Sequence, residues 1–102
     1  MTTLTRTITE AAFQAVVLEV AHRGRWFAYH TFDSRRSTPG FPDLVLLRAP
    51  EAIFAELKSE SGKVSPAQAH VLEQLEDCGF EVHVWRPSQL DEIIARLTTR
   101  RP

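Results

Sequence analysis

The chain has 102 residues, with 12 Lys and Arg against 13 Asp and Glu, a formal net charge of −1 and 43% hydrophobic residues. That is the length of one domain and the composition of an ordinary globular protein, which excludes a charged disordered tail, a collagen-like fibre and a low-complexity linker. The apolar runs are short and the first ten residues hold no apolar stretch, so neither a membrane span nor a secretory signal is expected; the single Cys78 makes neither an intrachain disulfide nor a cysteine-based zinc site, and a reducing cytoplasm is the expected compartment.

The first predicted element is a helix over about residues 9–23. Phe13, Val16, Val17 and Val20 fall at i, i+3, i+4 and i+7 as one apolar stripe, Thr7 and Glu10 fit a capping box, and Gly24 ends the helix. Residues 25–32 read as a strand rich in aromatics (Trp26, Phe27, Tyr29, Phe32), in which Trp26 and His30 are core or edge residues. A polar, basic loop follows over residues 33–40. Residues 44–47 and 53–58 are two strands joined by Ala49-Pro50-Glu51, which predicts an antiparallel hairpin. Ser65-Pro66-Ala67-Gln68 starts a helix, with Ser65 as cap, Pro66 in the first turn and Gln68 completing a capping box. It runs to about Cys78, with Val71, Leu72 and Leu75 inward, Cys78 a buried structural thiol and Gly79 the stop. Glu81–Trp85 alternates as a strand, and Pro87-Ser88 opens a last helix, about 88–98, with Leu90, Ile93, Ile94 and Leu97 on its apolar face. The order α-β-β-β-α-β-α predicts an α/β fold: a mixed central sheet flanked by helices, with a parallel crossover into the last strand and an extra C-terminal helix.

Chemistry concentrates in the hairpin. Glu56 and Lys58 lie two apart on one strand, hence on one face, and Asp43 opens the neighbouring strand directly after Gly40-Phe41-Pro42. Two carboxylates brought that close repel unless a cation sits between them. A divalent ion such as Mg²⁺ or Mn²⁺ suits this donor set, filling its other positions with water and phosphate oxygens, and Lys58 adds a point charge beside a bound phosphate. These are the parts needed to hydrolyse a phosphodiester.

Pro42-Asp43 followed by Glu56-Leu57-Lys58 resembles the PD-(D/E)-x-K signature of a large nuclease superfamily. The surrounding residues are similar to the VRR-NUC domain in particular: Thr9-Glu10, Thr38-Pro39-Gly40-Phe41-Pro42-Asp43-Leu44, Ala55-Glu56-Leu57-Lys58, Gly62-Lys63-Val64-Ser65 with Gln68, and Gly79-Phe80-Glu81-Val82. The resemblance covers about residues 7–86 and implies a restriction-endonuclease-like αβββαβ core within one nuclease domain spanning 1–102. It implies that Asp43, Glu56 and the backbone carbonyl of Leu57 ligate the metal with Glu10 nearby, that Lys58 orients the attacking water or stabilises the developing charge, and that Gln68 faces the site. It further implies a Mg²⁺- or Mn²⁺-dependent DNA endonuclease acting on branched or Holliday-junction-like DNA in replication, recombination or repair. Compact stand-alone members, which resemble phage and bacterial proteins, imply a homodimer with no membrane association and no small-molecule cofactor.

Each residue also has a plainer reading: Asp43 as a turn residue, Glu56 and Lys58 as a surface ion pair, Glu10 and Gln68 as helix caps. The whole chain has two alternatives to the enzyme, a non-catalytic nucleic-acid-binding module and a homodimeric interaction protein on the same scaffold. The near-neutral net charge weighs against a DNA-acting protein until it is divided by segment. Residues 21–48 carry Arg23, Arg25, Arg35, Arg36 and Arg48 against Asp33 and Asp43, a basic approach of +3, in which Arg35 and Arg36 are expected to contact DNA phosphates together with Lys63. Residues 51–81 carry two lysines against seven acids, a balance of −5, much of it expected on the outer face of the second helix.

Overall fold

The computed structural model describes residues 8–31 and 37–100. Its elements in order are α1 (Glu10–Arg23), β1 (Phe27–His30), β2 (Leu44–Arg48), β3 (Glu51–Leu57), α2 (Pro66–Asp77), β4 (Glu81–Trp85), a short 3₁₀ turn (Pro87–Gln89) and α3 (Leu90–Thr98). The four strands lie in sequence order in one sheet. β1 and β2 pair antiparallel, as do β2 and β3, whereas β4 returns parallel to β3 across the α2 crossover. This is the mixed sheet that the element order predicts. Among the described residues no helix is long and apolar enough to cross a membrane.

One face of the sheet forms the main core. Leu44, Leu46, Ile53, Ala55, Leu57 and Trp85 pack against Phe13, Val17 and Ala21 of α1 and Ile93 and Leu97 of α3. Strand alternation places Asp43, Val45, Leu47, Phe54 and Glu56 on the other face, which α2 covers at the β4 side.

The sequence reading needs correction in several places. The N-cap of α1 is Thr9, whose side chain accepts from the N–H of Ala12 at 3.0 Å, so Glu10 is the first helical residue and no box is closed by it. Thr7 lies outside the described residues, as do Phe32, Arg35 and Arg36. The buried row of α1 is Phe13, Val17 and Ala21, and Val16 is exposed because it stands one position round from that i, i+4, i+8 row. Ile94 is likewise exposed while Ile93 and Leu97 carry the contact of α3. Cys78 is an exposed C-cap residue rather than a buried thiol, since the inward row of α2 ends a turn earlier.

Gly24 matters for space rather than for a left-handed turn. Its φ is −80°, the positive φ falls on Arg25, and a Cβ at position 24 would lie 1.9 Å from the carbonyl oxygen of Leu97. Glycine thus lets the end of α1 meet the end of α3. Arg48 is sealed into this junction, 6% exposed. Its guanidinium donates to the carbonyls of Gly24 (2.9 Å), Leu97 (3.1 Å) and Thr99 (2.8 Å), pairs with Glu51 at 3.0 Å and lies 4.2 Å from the Trp26 ring centroid. Trp26 donates its indole N–H to the same Leu97 carbonyl at 2.9 Å. Arg48 therefore caps the C-terminus of α3, where its charge also suits the helix dipole, and is not part of a basic approach surface. Arg23, counted in that approach too, pairs on the surface with Glu19.

Candidate active site

The opposite end of the β2–β3 hairpin gathers the predicted trio. Glu56 is 2% exposed. One of its oxygens accepts the backbone N–H of Asp43 at 3.2 Å, while the other accepts the Gln68 amide at 2.8 Å and sits 3.5 Å from Nζ of Lys58. Asp43 reciprocates across the strand pair, its Oδ2 accepting the N–H of Leu57 at 3.0 Å. Each carboxylate thus accepts a backbone N–H of the opposite strand, which fixes both without a long flexible reach. Burial, reinforced by the neighbouring Asp43 carboxylate, pushes Glu56 up to about 7, against the opposing pull of Lys58 and the Asp43 N–H. With both carboxylates ionised the trio carries one negative charge more than it neutralises.

Two local features bring Gln68 in. Ser65 caps α2 through the N–H of Gln68 at 3.1 Å, and the Gln68 carbonyl returns to the N–H of Ser65 at 2.9 Å. The remaining NH₂ of that amide is the donor to Glu56. The cap and the site are therefore two ends of one side chain. Gly40 makes room for the approach: its φ is +101° and a Cβ there would stand 2.4 Å from the carbonyl oxygen of Ala67, so only glycine lets the turn before Asp43 lie against the first turn of α2.

The loop leaving Lys58 is held by Arg86, a residue that no motif in the sequence singles out. Its Nη1 donates to the carbonyls of Gly62 (2.6 Å), Ser59 (2.8 Å) and Glu60 (3.3 Å), and the Glu60 carboxylate accepts the N–H of Ser88 at 2.9 Å. Lys63 follows this anchored loop and is exposed.

A cleft of about 920 Å³ opens beside the trio. Glu10, Gln14, Tyr29, His30, Phe41, Asp43 and Gln68 are among its lining residues. Glu10 is exposed and faces this cleft, but among the described residues no group of three or more His, Cys, Asp and Glu side chains gathers closely enough to hold a metal ion. A hard cation here would rest on Asp43 and Glu56, and the oxygen donors and excess negative charge of the pair fit one. Tyr29 and His30 reach the cleft although neither spacing nor motif marks them; His30 lies 3.4 Å from the Gln14 amide. The signal lies in strand pairing, since His30 is opposite Leu44, the neighbour of Asp43.

The family model described as VRR-NUC domain matches residues 4–89. A solved structure described as a VRR_NUC domain protein shares 20% identity with a TM-score of 0.67, covering 88% of this chain and 88% of that one, and so is similar in fold. Comparison with curated proteins finds no match.

Proposed function

Because this chain belongs to the VRR-NUC domain family and has its nuclease-type fold, we propose that it is a Mg²⁺- or Mn²⁺-dependent DNA endonuclease whose site is Asp43, Glu56, Lys58 and Gln68. The observation that carries this reading is the buried Glu56 carboxylate, pressed against Asp43 and left with more negative charge than Lys58 offsets. A structural ion pair would be balanced; this one has affinity for a further cation. When bound, a divalent ion supplies an activated water and neutralises phosphate charge.

The chain's own groups do the rest. Asp43 and Glu56 would hold the cation, with the Leu57 carbonyl as a further donor and Glu10 as the nearby helix-borne acid. Gln68 keeps one Glu56 oxygen oriented, so that the carboxylate presents a fixed geometry. Lys58, held beside Glu56, orients the nucleophilic water or stabilises charge on the phosphate oxygens. Arg35, Arg36 and Lys63 contact flanking phosphates, a role that needs charge and reach more than geometry. The proposed substrate is branched DNA, cut by a homodimer in DNA replication, recombination or repair within the cytoplasm; two sites related by a two-fold axis suit paired strands.

Incubation with branched and linear DNAs in Mg²⁺ and in Mn²⁺ tests the reading. Cleavage is expected with either metal, none with a chelator, and a rate lowered on the order of a thousandfold in Lys58→Ala. Undiminished cutting by Lys58→Ala would remove this site from the reaction. Light scattering at micromolar concentration is expected to give twice the chain mass, and a monomer would contradict paired cutting.

A further inference from the structure

Two of the aromatic side chains at the cleft are left half-exposed by the fold. Tyr29 is 56% exposed and Phe41 is 50% exposed, yet both line the cleft that holds Asp43 and Gln68. Their rings are not on loose tethers. Tyr29 stands opposite Val45, and Val45 opposite Phe54, so the three make one row across β1, β2 and β3 on the face that carries Asp43 and Glu56. Phe41 meets Phe54 edge-on with ring centroids 6.1 Å apart, and Phe54 is held in turn by Phe80 at 5.0 Å. Phe54 is half-buried and backs Phe41 from behind. Much of the remaining lining is polar, with Gln14, Thr31, Ser37 and Thr38 beside the acidic Glu10 and Asp43. Exposed aromatic faces set among polar side chains suit a flat ring with hydrogen-bonding edges.

We propose that Tyr29 and Phe41 form a stacking platform for an unpaired nucleobase, so that the site acts on DNA with at least one unpaired nucleotide beside the cleaved bond. The proposal rests on the nuclease reading above and narrows it, favouring flaps and forks over fully paired four-way junctions. The physical reason is access. In a duplex both faces of each base are already stacked, whereas an unpaired nucleotide presents a free face to an aromatic ring at the cost of little or no unstacking. Phe27 provides the contrast within the same strand and on the same face: it is 65% exposed but does not line the cleft.

The test uses Lys58→Ala protein in Mg²⁺, so that binding is read without cutting. The probes are a duplex and a fork of equal paired length, the fork carrying 2-aminopurine at its first unpaired position. The fork is expected to bind on the order of tenfold tighter than the duplex and its 2-aminopurine to be quenched on binding. Tyr29→Leu leaves an apolar side chain that lacks a π-face; it is expected to remove the preference and the quenching while duplex affinity stays constant. Tyr29→Phe is expected to retain both, and Phe27→Leu to change neither. Equal affinity for fork and duplex, or a preference that survives Tyr29→Leu combined with Phe41→Leu, would overturn the proposal. So would a fall in molecular mass on light scattering with Tyr29→Leu, because the face would then be an interface between copies. Equal cleavage of fork and duplex by the active parent overturns this inference alone; no binding or cleavage of any DNA overturns the nuclease reading with it.

Discussion

Arg48 and Glu56 are the two charged residues buried among those described, and they sit at opposite ends of the same hairpin. At the turn end, Arg48 and Arg96 face Glu51 and Glu81, two positive charges against two negative, tied by Arg96 contacts of 2.8 Å to Glu51 and 2.9 Å to Glu81. Burial alone would raise Glu51, but hydrogen bonds from Arg96 and Arg48 hold it below the ordinary carboxylate range. At the other end Glu56 is pushed the opposite way, up to about 7. The same strand thus carries one carboxylate paired with two guanidinium groups and one set beside a second carboxylate with a single lysine. The lesson is that burial of a charge does not separate structure from function, whereas its balance does.

The largest effect should come from breaking the unbalanced end. Lys58→Ala or Asp43→Ala is expected to lower the cleavage rate on the order of a thousandfold, measured in single turnover, with the unfolding transition retained. The balanced end should respond in stability instead. Arg48→Ala leaves Glu51 with Arg96 alone and takes the guanidinium from the Gly24 and Thr99 carbonyls, and is expected to cost about 3–5 kcal/mol in urea unfolding; a loss within the range of surface substitutions would show that the junction does not depend on it.

The two ends also differ in pH dependence. Between 4.5 and about 7 the native state retains a proton on Glu56 that the unfolded chain has released. Stability of the metal-free protein should therefore fall as pH rises through this window, by at most about 3 kcal/mol. Glu51 works with the opposite sign, contributing stability above 4.5 that is lost as pH falls through its lowered native value. Urea melts across pH 4–8 should show the falling limb in the parent and not in Glu56→Gln. The smallest effect divides the two ends of Gln68. Ser65→Ala removes the cap alone and should cost about 1 kcal/mol with cleavage unchanged; Gln68→Ala should cost a similar amount and also slow cleavage.

Much of this was legible in the residues. The alternation of Glu81–Trp85 after a helix predicts a parallel strand, and the Ser65-Pro66-Ala67-Gln68 start predicts the cap that forms. Asp43, Glu56 and Lys58 converge because strand period and hairpin pairing are local rules. The role of Arg48 was not legible, since its carbonyl partner on Leu97 lies 49 residues away and only the folded junction joins them. Gln68 offered the cap and the site as alternatives, and geometry satisfies both because an amide has two ends. Tyr29 and His30 were legible as strand residues but not as cleft residues; the register of β1 against β2 brings them there.

The account turns on the claim that the Asp43–Glu56 end lacks a cation and the Glu51–Arg48 end does not. Calorimetric titration with Mn²⁺ at pH 5.5 and pH 8, on the parent, Glu56→Gln and Glu51→Gln, tests it most directly. Binding is expected in the parent and in Glu51→Gln, tighter at pH 8, with proton release at pH 5.5, and none in Glu56→Gln. Binding that survives Glu56→Gln, or that is the same at both pH values in the parent, would contradict it.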